Sequence, residues 1–98
     1  MDRQQKRIVF AICADYQRRA RLIGSGRLPA ERAANYARMN AAIDTAIRNN
    51  IDACDRADML RSLQDRRGYL HGGSHRGRNQ FYTIKQKIVQ EIADALNI

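Results

Sequence analysis

Residues 78–96 read RNQFYTIKQKIVQEIADAL, and their periodicity decides the fold class. Phe81, Ile84, Ile88, Ile92, Ala95 and Leu96 recur at steps of three and four, with Val89 at the edge of the stripe. Asn79, Thr83, Gln86, Lys87, Gln90 and Asp94 fall on the opposite side. That spacing places the apolar residues on one face of an α-helix and rules out a strand, whose period is two. The helix is predicted to begin between Gly77 and Asn79 and to run to the end of the chain. Lys85 projects near the apolar side, so it is expected to lie past the end of the core and carry its ammonium outward.

Working back towards the N-terminus, the same period returns three times. Ala57, Met59, Leu60 and Leu63 form the apolar side of a helix that Asp52 or Asp55 can cap and Gly68 can close. Pro29 is suited to the first position of another, with Glu31 at the positive end of its dipole. There Ala33, Tyr36, Asn40, Ile43 and Ile47 make a short heptad-like seam, and the seven alanines between 30 and 46 leave room for a close helix neighbour. Asn40 inside the seam could fix the register of a homodimer or be satisfied locally. From Asp2 to Ile23, Val9, Ile12, Cys13, Tyr16, Ala20 and Ile23 give a first helix, stopped by Gly24-Ser25-Gly26. No segment alternates with period two. The expectation is an all-α chain, one domain over residues 1–98, folded as a small bundle of about four helices.

The charge speaks of partners. Fifteen arginines and three lysines stand against ten acids, a net charge of +8. Arginine forks onto phosphate, so nucleic acid is the partner the composition favours, with a membrane surface or an acidic protein behind it. Residues 1–23 hold six basic against two acidic residues and residues 51–67 four against four, so the first segment is a far better phosphate-facing surface than the third. Arg18, Arg19 and Arg21 lie mostly outside the apolar stripe and are candidate phosphate contacts, although Asp15 is one turn away and can pair with Arg18 or Arg19. Cys13 and Cys54 have no paired spacing and read as small core residues of a reducing compartment. No apolar run reaches the length of a membrane span and the first residues do not form a signal peptide, so no membrane partner is expected and the cytoplasm is the expected location.

Residues 68–82, GYLHGGSHRGRNQFY, hold both histidines. His71 and His75 would chelate a metal only from one helical face, and Gly72-Gly73 between them works against a helix, so neither metal nor cofactor is expected. Arg66 and His71 match the arginine, four residues, histidine spacing of the HEPN ribonucleases, in which the histidine acts as acid or base. Apart from that spacing the chain has no phosphate loop, nucleophile elbow or zinc pattern, and the expectation is a protein that is not an enzyme.

A neutral helix over 58–69, a turn-rich loop, and a helix whose start carries Arg76, Arg78, Asn79 and Gln80 follow the order of a helix-turn-helix, in which the start of the second helix meets base edges. Arginine suits guanine, and asparagine and glutamine suit adenine. On Arg78, Phe81, Tyr82, Lys85 and Ile92-Ala93-Asp94-Ala95-Leu96, residues 76–98 resemble the last helix of the ArpU and RinA type of phage and prophage regulators, which are similar to region 4 of sigma factors. The resemblance covers about the last forty residues. It departs at Gly77, where a serine is usual, and in the long connection from Arg67 to Gly77. It implies a DNA-binding transcriptional regulator with recognition near Arg78 to Thr83. The candidate nucleic-acid-binding residues are thus Arg76, Arg78, Asn79, Gln80, Thr83, Lys85, Lys87, Arg18, Arg19 and Arg21. The alternative is a small phage-type inhibitor of a host protein or nucleoprotein, such as an anti-CRISPR protein; the ribonuclease ranks behind both.

Overall fold

A computed structural model describes residues 2–65 and 78–98. Among these, five α-helices and one 3-10 turn follow one another: α1 (Arg3–Ala14), α2 (Tyr16–Ser25), α3 (Ala30–Asn50), the turn Ala53–Asp55, α4 (Arg56–Asp65) and α5 (Arg78–Ala95). The chain is an all-α bundle.

The core gathers around Val9 and Cys13 of α1, Ile43, Ala46 and Ile47 of α3, Met59 and Leu63 of α4, and Phe81, Ile88, Val89, Ile92 and Ala93 of α5. It therefore follows the expected stripes, with local differences. Ala20, Ala57 and Ala95 are exposed. Cys13 is buried as expected, but Cys54 is exposed on the 3-10 turn, and both are free thiols. Burial pushes the Cys13 thiol up to about 12, against the opposing pull of the Arg19 and Lys85 charges.

The main departure is at Asp15. The helix expected from Asp2 to Ile23 starts with a reciprocal cap, in which the Gln5 backbone N–H donates to Asp2 at 2.8 Å and the Asp2 N–H to the Gln5 side chain at 3.1 Å. It breaks at Asp15, whose φ of −93° and ψ of 5° leave the helical range and whose N–H bonds back only three residues, to the Ile12 carbonyl. Aspartate is a poor interior helix residue, since its side chain competes for local partners; here it takes Arg18 through two bonds of 2.6 and 2.7 Å. That fork holds the Asp15 carboxyl below the ordinary carboxylate value.

After the break α2 packs along α3 and barely touches α1. It closes at Gly26, whose φ of 71° is the left-handed cap glycine tolerates. Pro29 stands just before α3 rather than in its first turn. At the other end of α3, Asn50 Nδ2 donates to the Ala46 carbonyl at 2.7 Å and to Glu91 Oε2 at 2.9 Å, fastening α3 to α5. α5 ends on Asn97 at φ 57°, with Ile98 N–H returning to the Ala93 carbonyl at 2.9 Å and Asn97 N–H to Asp94 at 3.3 Å, the double bond pattern of a Schellman cap. Neither Asp52 nor Asp55 makes the expected cap: Asp52 leaves the turn uncapped by its side chain, and Asp55 is buried with Oδ1 lacking a hydrogen-bond partner.

The aromatic at the start of α2 adds a pH dependence. Tyr16 donates its hydroxyl to Asp44 Oδ1 at 2.8 Å, and burial together with that bond raises its pKa from 10 to about 12. The folded chain thus favours the neutral phenol, so this contribution to stability is complete below pH 10 and lost as pH rises towards 12. Thermal unfolding followed from pH 8 to pH 12 should show a steeper alkaline decline for the native chain than for Tyr16→Phe; parallel curves would show that the phenol does not couple to folding.

Candidate nucleic-acid interface

The candidate residues fall into two separate places. At the start of α5, Asn79, Gln80 and Thr83 are exposed and, with Ile84, line one shallow recess. Thr83 Oγ1 donates to the Asn79 carbonyl at 2.9 Å, which ties the hydroxyl to the helix and leaves the Asn79 amide outward. Lys87, Gln86 and Gln90 continue the exposed side, and no acid occurs from Arg78 to Gln90. Gln90 leans towards the C-terminal end, donating to Asp94 Oδ1 at 2.9 Å. Phe81 holds this start to the core: it is buried and meets Tyr82 edge-on, with ring centroids 5.7 Å apart. Arg76, the Arg66 and His71 pair and His75 lie outside the described residues, as does the side chain of Arg78.

Lys85 does not belong to this surface. It is 8% exposed, and its Nζ donates to Ser62 Oγ at 2.8 Å and to the Ser62 carbonyl at 3.4 Å, 5.4 Å from the centre of the Phe10 ring. The expected outward reach fails because α1 and α4 close over this part of α5, and the ammonium is instead solvated by the Ser62 oxygens and the face of an aromatic ring. Beside it a half-open groove of about 480 Å³ runs between α1 and α5, bordered by Lys6, Phe10, Tyr82, Gln86 and Gln90.

The second place is α2. Arg19, expected to face phosphates, is 2% exposed. Its Nε donates to Asn40 Oδ1 at 2.8 Å, one terminal nitrogen donates to the Ile12 carbonyl, and the other lies 3.6 Å from Asp15. Asn40 completes the set by donating Nδ2 to the Tyr16 carbonyl at 3.2 Å. The asparagine of the seam is thus satisfied within its own chain, and Arg19 is the joint between α1, α2 and α3. Burial lowers the Arg19 pKa and the nearby Asp15 opposes that pull. Arg18 is exposed but already engaged, forked onto Asp15 and placed 5.7 Å over the Tyr36 ring. Arg21 is exposed and makes no ion pair with a described residue.

The helix-turn-helix order rests on the connection 66–77, outside the described residues. Among the described residues α4 packs chiefly on α1, and α5 chiefly on α3 and α1; α4 and α5 share the core and are bonded through Lys85 and Ser62. The α5 end beside α3 is the C-terminal one, where Glu91, Ala95 and Leu96 face Arg38, Ala41 and Thr45. Among the described residues no cluster of three or more potential metal ligands occurs, and no helix is long and apolar enough to cross a membrane. Comparison with protein-family models, curated proteins and solved structures returned no match.

Proposed function

We propose that the chain is a DNA-binding transcriptional regulator of phage type that reads duplex DNA with the start of α5. The observation that carries this reading is the acid-free stretch from Arg78 to Gln90 of that helix, where the exposed amides of Asn79 and Gln80 and the ammonium of Lys87 share one surface anchored by a buried Phe81. An asparagine or glutamine amide donates and accepts at once, which matches the N6 and N7 edge of adenine in the major groove. Lysine adds attraction for the backbone.

The test is fluorescence anisotropy on duplexes enriched by the protein from a random library. Binding should weaken steeply as salt rises, because each neutralised phosphate releases counterions. Asn79→Ala and Gln80→Ala should each relax sequence preference by about 1–3 kcal/mol while leaving the salt slope unchanged. Failure to enrich any duplex, or binding indifferent to salt, overturns the reading. Lys85→Met should leave the salt slope as it is, since that ammonium is inside.

A further inference from the structure

Between Ala20 and Met39 no residue is buried. Residues 16–39 carry six arginines and one acid, Glu31, and form a hairpin of α2 and the first half of α3. It packs on itself and extends a molecule 43 Å long and 20 Å across its narrow axis. Two of the arginines are spoken for at its root, Arg18 by Asp15 and Arg19 by Asn40. The other four, Arg21, Arg27, Arg32 and Arg38, are all exposed and have no acidic partner among the described residues. Arg32 borders a recess with Glu31, Tyr36 and Met39, Arg38 borders another with Glu91, Ala41 and Leu96 beside the C-terminal end of α5, and Arg27 stands in the connection between α2 and α3.

We infer that this hairpin is an arm that grips the phosphate backbone of duplex DNA, apart from the base-reading start of α5. The inference rests on the proposed DNA-binding function and adds to it a second, sequence-independent surface. Four unneutralised guanidiniums on so thin an element repel one another, so the arm is complementary to a polyanion and opposed to pairing with a second copy of itself. A guanidinium forks onto phosphate oxygens, which fits four separate backbone contacts. Each helix of the hairpin is about 10–12 Å across, so the two side by side are wider than the roughly 12 Å major groove and the arm lies against the backbone rather than in the groove. Arg19 sets the angle at which the arm leaves the core, since its bonds join the Ile12 carbonyl of α1 to Asn40 of α3.

The experiment compares the native chain with R21Q/R27Q/R32Q/R38Q on a preferred and a scrambled duplex, over a range of salt. The four side chains are exposed, and circular dichroism checks that the variant keeps its helices. The expected result is a salt slope shallower by about 3–4 with weaker binding to both duplexes, while the preference of one over the other is retained. If the native chain binds and the variant matches it in affinity and slope, the arm is not a DNA contact and the reading of α5 stands. If the native chain binds neither duplex, both ideas fall. If the arginines are needed to bind poly-glutamate but not DNA, the arm faces an acidic protein and the inference is overturned. Arg27→Gln alone, at the tip, should shift the slope by about 1.

Discussion

Replacing Arg19 by methionine is expected to lower the free energy of unfolding by about 3 kcal/mol. The stem is kept, so little packing is lost. What disappears is the guanidinium that serves three acceptors at once, leaving Asn40 Oδ1 without its donor inside the protein and the Ile12 carbonyl with one donor fewer at the point where α1 stops. A buried polar atom deprived of its partner costs more than the net worth of the bond it made, because it keeps its desolvation without compensation. Urea denaturation should show a lower midpoint with an unchanged slope. The double change Arg19→Met with Asn40→Leu should recover part of the loss, since two apolar groups then replace two polar ones. A single-variant loss below about 1 kcal/mol, the net worth of one ordinary hydrogen bond, would show that the joint is not built as described.

Phe81→Ala is expected to cost about 3–5 kcal/mol, the usual range for emptying a buried aromatic site. Against a total stability of about 5–15 kcal/mol for a domain of this kind, that is enough to leave the fold marginal near body temperature. Among the described side chains Phe81 is the first buried one of α5, and the exposed Asn79 and Gln80 precede it. Its removal therefore frees the very turn proposed to read bases, so sequence preference should fall before the backbone attraction does. Thermal unfolding gives the first effect, and anisotropy at a temperature where the variant is still folded gives the second. Full retention of preference in the folded variant would mean that reading does not depend on this anchor.

The stripe of α5 was legible because Ile84, Ile88 and Ile92 repeat a helical step with few interruptions, and α3 and α4 were legible for the same reason. The break at Asp15 was not, since Val9, Ile12, Cys13 and Tyr16 keep their period straight through it. The break is held in place by a distant partner, Asn40, twenty-one residues beyond Arg19, which no local pattern reports. Arg19 did leave a trace: it lies three residues after Tyr16 and four before Ile23, on the stripe as squarely as Ala20. Lys85 left the same trace, between Ile84 and Ile88. Charged residue types were read as outward because ionised groups are seldom buried, and both exceptions are compensated by partners that only folding brings near. Arg27, Arg32 and Arg38 were passed over because dividing the chain at Ile23 split the arm and diluted its charge between two segments.

The absence of any buried residue between Ala20 and Met39 also divides the molecule by stability. Opening the arm uncovers little that the core depends on, so its amides can exchange with solvent through local fraying at a free energy well below that of global unfolding. Burial resumes at Asn40. Beyond it the hairpin can lengthen or shorten by whole turns, about 5.4 Å at a time. The reach of the molecule is thereby free to change while its core stays the same.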